Sequence, residues 1–249
     1  MQVTVLGLSE GIQSADSGNS SLLIQTASTS VLVDVSGSPC TELLRHNTDP
    51  NMLDAVILTH AHVDHIYALP SLLHNLWLRK RTKPLFILAN PHTIQKAQEL
   101  CALFLLHTKK DMMPIRWGLC ENIGNIKILS FPLSHRPLVP TNGFVFEAGG
   151  RRCSYFPDNA AQKPYPLCAA DSDLLIHESN GLACEQPGLA EAGHSSAQDA
   201  AEVASELRAK RLMLIHVPGD LKKRAAILAE ARLGFSSAEL PEAGKTYTL

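Results

Sequence analysis

Residues 53–65, LDAVILTHAHVDH, place four potential metal ligands, His60, His62, Asp64 and His65, within six positions. Imidazole and carboxylate without thiolate suit a zinc or iron site that keeps open positions for water and substrate; a closed structural site would be built from cysteine. The preceding LDAVILT is short, apolar and rich in β-branched residues, so it reads as a buried strand. A strand end can hold reacting side chains to the tolerance that catalysis needs. A histidine-rich surface turn is the competing explanation, and this spacing disfavours it.

Further ligand-type residues follow other apolar runs. The stretch 126–132 (IKILSFP) leads to His135, 152–156 to Asp158, and RLMLI to His216. One such coincidence is cheap; a series of them is not. THAHVDH resembles the Thr-His-x-His-x-Asp-His signature of the metallo-β-lactamase superfamily, whose pattern continues with a third-motif histidine, a bridging aspartate and a final histidine. His135, Asp158 and His216 match those positions in order. The resemblance implies an α/β fold, the four-layer αββα sandwich, as one domain over residues 1–249. It implies two zinc ions, or manganese or iron(II) on the same donors. His60, His62 and His135 would hold one; Asp64, His65 and His216 would hold the other, with the Asp158 carboxylate shared. Two adjacent cations lower the pKa of a bridging water, so a metal-bridging hydroxide is available near neutral pH for hydrolysis. Asp64 would both bind its metal and orient the nucleophile. The iron oxygen-reducing relatives carry an acid where His62 stands, which argues against redox chemistry.

The residues after Asp158 narrow the branch. DLLIHES at 173–179 and HSSAQDAAEVA from His194 resemble the ribonuclease Z-like members. By that likeness His194 stabilises the transition state or protonates the leaving oxygen, and Glu178 orients it. A solvent-exposed histidine near a helix start is the alternative. His177 faces away from Glu178 along the same strand and reads as a packing residue. Asp34 is either an orienting partner of a metal-bound histidine or a turn residue before Gly37. Arg136 reads as a surface residue, as do His46, His74, His92 and His107, if not structural. Two departures matter. The bridging motif, Gly-Asp-Thr in the family, is Pro157-Asp158-Asn159 here, and proline removes a backbone donor. The segment between His135 and Asp158 is consumed by a hairpin, which leaves no room for a tRNA-gripping arm. A small or nucleotide-like phosphodiester is therefore the expected substrate, as in the phosphodiesterase associated with carbon–phosphorus lyase. That relative's cysteine-rich second zinc site is missing. The competing functions are a lactone, thioester or β-lactam hydrolase, and a non-catalytic accessory protein retaining the fold.

The rest of the chain must position these groups. With 249 residues and 45% hydrophobic content, one sizeable core is expected. A net charge of −2 without sign-segregated blocks argues against stable nucleic-acid binding. Six scattered cysteines without a CxxC pair, no signal-like start and no membrane-length apolar run point to a cytoplasmic protein. The resemblance allows a homodimer, though no apolar stripe identifies an interface. Strands are expected at 1–7, over SLLIQTA and TSVLVDV, and at 54–58, 85–88, 126–132, 143–148, 152–156, 173–179, 211–216 and 245–249. Helices are expected at 41–45, 66–80, 91–107, 195–207 and for about a dozen residues from Leu221. In 91–107 the face Ile94, Ala97, Cys101, Phe104 should point inward.

Overall fold

Two mixed sheets carry the chain, and residues 1–249 are described by a computed structural model. The first half forms β1 (Gln2–Gly7), β2 (Ser21–Gln25), β3 (Ser30–Val33), α1 (Pro39–Arg45), β4 (Ala55–Ile57), α2 (Val63–Ile66), α3 (Leu69–Leu78), β5 (Leu85–Leu88), α4 (Pro91–Leu103) and β6 (Ile115–Trp117). The second half forms β7 (Asn122–Ile123), β8 (Ile126–Arg136), β9 (Val139–Ala148), β10 (Arg151–Phe156), β11 (Leu174–Glu178), α5 (Gly188–Glu191), α6 (Ala197–Glu206), β12 (Leu212–Ile215), α7 (Leu221–Gly234), β13 (Ala238–Glu239) and β14 (Thr246–Thr248). Strand order is β14-β1-β2-β3-β4-β5-β6 in one sheet and β13-β12-β11-β10-β9-β8-β7 in the other.

Alternation along the strands creates the layers. Leu22, Ile24, Val31, Val33 and Ile57 share one apolar cluster with the second sheet, including Phe144, Phe146 and Tyr155. Their neighbours Leu23, Leu32 and Val56 share another with Leu43 of α1, Leu69, Leu72 and Leu76 of α3, and Ala97 of α4. Strands covered on both faces read as continuous apolar runs rather than alternating ones. Small residues Ala197, Ala200, Ala201 and Ala204 bring α6 close against the outer face of the second sheet. The result is the αββα sandwich.

The site sits at one edge of both sheets. β3 through β6 run parallel, as do β10 through β13, while β8 and β9 pair antiparallel beside them. β8 therefore runs in the same direction as β10, and His135, Asp158, Glu178 and His216 all emerge at the same end. Crevices outside the carboxyl ends of parallel strands are where α/β sheets bind ligands.

Several expectations need correction. The helix expected over 66–80 is α3, which starts only at Leu69 with Pro70 in its first turn, where a missing N–H is tolerated, and ends at Leu78; Ile66 instead closes α2. The strand expected at 126–132 extends to Arg136, so His135 lies inside it. The helix expected over 91–107 stops at Leu103, and Leu105 turns into the left-handed region at φ 52°. Phe104 consequently lies outside the helix with 61% of its surface exposed, whereas Ala97 and Cys101 are buried as expected. β6, β7 and β13 are too short to leave a periodic signal.

Candidate metal centre

The local chain explains how the first four ligand-type residues are aimed. Beyond β4, Thr59 donates its backbone N–H to Asp34 Oδ1 at 2.8 Å and its hydroxyl to Asp34 Oδ2 at 2.9 Å. His65 Nδ1 donates to the same Asp34 Oδ2 at 2.8 Å. Asp34 is fully buried at φ 57°, a left-handed conformation that costs a non-glycine residue on the order of 1 kcal/mol. Its carboxylate thus orients His65, deciding between the two readings open in the sequence. His62 is the N-cap residue of α2, and the single turn that follows presents Asp64 and His65.

Seven side chains converge. One ligand atom each of His60, His62, His135 and Asp158 lies within 4.8 Å of the others, and the same holds for Asp64, His65 and His216. Asp158 joins the two groups. Its Oδ2 is 3.7 Å from His60 Nε2 and 3.3 Å from His216 Nε2, and its Oδ1 is 3.4 Å from His65 Nε2. Asp64 Oδ2 lies 3.3 Å from His65 Nε2 and 3.6 Å from His216 Nε2. Every residue singled out in the sequence as a metal ligand is in this cluster. His46, His74, His92 and His107 are not; His74 packs its ring 5.5 Å from that of Trp77.

The hydrogen bonds on the far side of each ring show how its inner nitrogen is aimed. His135 Nδ1 donates to Gly193 O at 2.7 Å, and His65 Nδ1 to Asp34. The Thr59 hydroxyl, already donating to Asp34, accepts from His60 Nδ1 at 3.0 Å. With Nδ1 engaged on its far side, each ring turns Nε2 inward, the arrangement of a metal-binding histidine. His60 Nε2 and His135 Nε2 both approach His62 Nδ1, at 3.0 and 3.1 Å, and a single N–H there can serve only one of them. His65 Nε2, His216 Nε2 and Asp158 Oδ1 are buried without any partner. Donors about 2.0–2.1 Å from a tetrahedral ion stand about 3.3 Å from one another, close to the spacings here. The donor set therefore fits divalent metal.

The electrostatics agree. Burial opposes ionisation of Asp158, yet the neighbouring His216 and His65 outweigh it and hold the carboxyl well below its ordinary range. Burial also raises Asp64, and the neighbouring His216 and His65 again prevail, so it stays an anion. On His65 burial disfavours charge, but Asp158 and Asp34 hold the ring well above the usual imidazole range. The negative potential that draws a proton there favours a bound cation equally. His135, with burial dominating, is pushed down to about 4 and is neutral, as a ligand must be.

His194 borders the cluster, its ring 5.1 Å from His135 and 5.4 Å from His216. Its Nδ1 donates to Glu178 Oε1 at 3.0 Å, an oxygen that also accepts the Asn159 N–H. Burial disfavours the imidazolium, but bonded Glu178 and the Asp158 charge outweigh it and lift His194 to about 9. Burial likewise raises Glu178. The pair therefore retains a proton at neutral pH, and His194 is where it resides because both neighbouring charges are negative. His177 points the other way, stacked 5.2 Å from Phe156, and is a packing residue as expected. Arg136 is exposed, as read from the sequence. Ser196 caps α6, its hydroxyl accepting from Asp199 N.

Some site residues carried no signal in the sequence. Gly193 presents the carbonyl that fixes His135, at φ +82°, and a Cβ there would lie 2.6 Å from His135 O and 2.7 Å from its Nδ1. Gly193→Ala is expected to destabilise the fold by about 1–3 kcal/mol in urea unfolding and to lower kcat/KM by displacing His135. Wild-type values for both would show that the loop simply shifts. Asn180 Nδ2 bonds Glu10 Oε2 at 2.9 Å and reaches His216 Nδ1 at 3.4 Å. These contacts join residues 170 and 36 positions apart, which no local pattern records.

Comparison with known proteins places this geometry. The description of a beta-lactamase superfamily domain matches residues 29–217. Ribonuclease Z of Methanothermobacter thermautotrophicus is 24% identical over 283 residues, covering 94% of this chain and 92% of that protein. The probable metallo-hydrolase YhfI of Bacillus subtilis is 29% identical over 224 residues, covering 88% and 87%. The crystal structure of YhfI, a metallo-beta-lactamase fold protein, superposes with a TM-score of 0.84 at 26% identity, covering 99% of this chain and 98% of that one. A diphosphatase from the PhnP family shares the fold at a TM-score of 0.78 and 17% identity, covering 100% and 97%. The matched region runs through all seven clustered residues, and the chain accordingly belongs to the metallo-β-lactamase superfamily, in its ribonuclease Z-like branch, as a metal-dependent hydrolase.

Proposed function

We propose that the protein is a dinuclear zinc phosphodiesterase acting on a small or nucleotide-like phosphodiester. The observation that carries this reading is the Glu178–His194 pair beside the shared Asp158. A protonated imidazole there suits an alkoxide leaving group, which departs poorly without a proton, and has less to do for a lactone or thioester. His60, His62 and His135 would hold one ion, and Asp64, His65 and His216 the other, with Asp158 between them. When bound, two such cations lower the pKa of water between them and offset charge building on the attacked group.

The residues of the chain divide the remaining work. Asp64, held ionised, accepts a hydrogen bond from the attacking water and aims it. Asp34 keeps His65 from rotating, and Gly193 does the same for His135. Glu178 fixes the Nδ1 side of His194, leaving Nε2 to donate to the leaving oxygen. Support for a small substrate comes from the segment between His135 and Asp158, which is occupied by β9, β10 and their turns. The alignment with ribonuclease Z runs over 283 positions, more than this chain contains, whereas that with YhfI needs only 224. The same reading places the protein in the cytoplasm, with all six cysteines unpaired and no helix long and apolar enough to cross a membrane.

The test is hydrolysis of bis(p-nitrophenyl) phosphate by the zinc-loaded protein, with Asp64→Asn as control. Turnover that disappears in the control supports the reading. No turnover from a protein binding two zinc ions would overturn the substrate class in favour of a lactone or thioester.

A further inference from the structure

At the far end of α3, away from the metal centre, a cleft of about 480 Å³ is lined by Trp77, Lys80, Thr82, Lys110 and Asp111. The ten residues of α3, at ~1.5 Å each, put ~15 Å of helix between the α2 end and this cleft. Its charges are free. Arg81 is buried and spends its guanidinium on the carbonyls of Asn51, Leu53, Lys83 and Pro84, and Lys83 pairs with Asp54 at 2.7 Å. Lys80, Lys109 and Lys110 form no ion pair. In a chain of net charge −2, that is a local excess of cations, with Asp111 the one acid lining the cleft.

The aromatic component is fixed in place. Trp77 Nε1 donates to Lys110 O at 2.7 Å, and Lys109 Nζ stands 5.0 Å from the indole centroid. α3 ends at a left-handed residue, where glycine is usual, and here it is Lys80 at φ 55°, whose side chain lines the cleft. We propose that this cleft binds a nucleoside phosphate, with the base against Trp77 and the phosphate between Lys80 and Lys110. A bare polyanion would not favour Asp111 in the same cleft. A nucleoside phosphate would, because its ribose hydroxyls and base N–H groups are donors that a carboxylate accepts. Aromatic stacking combined with lysine contacts is the general way proteins hold unpaired nucleotides.

The ligand could be a free nucleotide or the flanking nucleotide of a longer diester, and the test separates them. The zinc-loaded protein is titrated calorimetrically with adenosine 5′-monophosphate, inorganic phosphate and a deoxyadenosine trinucleotide, and Lys80→Glu/Lys110→Glu is compared. These exposed lysines can be reversed without disturbing the core. The double variant should weaken nucleotide binding about tenfold or more while turnover of the chromogenic diester stays within about twofold. Phosphate alone should bind the wild type more weakly than the nucleotide. Equal affinity for mono- and trinucleotide identifies a free ligand; tighter binding of the trinucleotide, with its cleavage slowed in the variant, identifies a substrate flank. Unchanged nucleotide affinity in the variant overturns the proposal, as does a change of oligomeric state in its place. Because binding is read by heat, the result stands whether or not the protein hydrolyses diesters.

Discussion

Asp158→Ala is expected to take metal and activity away together. The carboxylate is the only group shared between the two sets of donors, within 3.3–3.7 Å of His60, His65 and His216. Without it, Asp64 is the one carboxylate left among the imidazoles to balance bound cations. Metal content should fall at least ~twofold on dialysis against a weak chelator. Losing about 4 kcal/mol of transition-state charge stabilisation corresponds to a fall in kcat of at least ~10³-fold. Elemental analysis and turnover, measured on the same sample, check both halves. A variant that holds two ions and turns over normally would rule out a bridging role for Asp158.

His194→Ala should separate chemistry from metal binding. The ring is tied to Glu178 through Nδ1 beside the cluster, so metal content should stay near wild type, while kcat on a diester with a nucleoside or alkyl leaving group should fall ~10²–10⁴-fold. A nitrophenolate leaves without a proton, so bis(p-nitrophenyl) phosphate should be affected far less. The sign of the pH effect follows from the raised pKa. His194 carries its proton below about 9 and loses it above, so wild-type kcat should decline on the alkaline side. Cations bound beside the ring would draw that limb to lower pH. The limb should be missing from His194→Ala. Equal losses on both leaving groups would mean that His194 shapes the site rather than donating a proton.

The seven clustered residues were legible in the sequence for a simple reason. Four of them fall within six positions of a strand-to-helix turn, and the other three stand just beyond or within β-strands whose apolar runs are visible. The αββα layering was legible through the family resemblance that the motif carries, while the apolar runs marked only the individual strands. Phe104 was misread because helical spacing continued past the point where Leu105 adopts a left-handed backbone. Periodicity describes which side chains could share a face, not where the hydrogen-bonded ladder stops.

Residue chemistry and period are properties of neighbouring positions, and a single chain displays them without folding: a ligand-rich turn, buried strands, a serine cap before an alanine-rich helix. The direction in which each ligand points is a different kind of quantity. His135 is aimed by a carbonyl 58 residues away, His65 by a carboxylate 31 residues away, and His216 stands at φ 55° beside an asparagine tied to the loop after β1. The stacking of the two sheets brings these partners together, and the burial it imposes makes their unpaired lone pairs costly enough to favour a cation. Only the packed sandwich could decide that, because the contacts responsible do not exist until both sheets have formed.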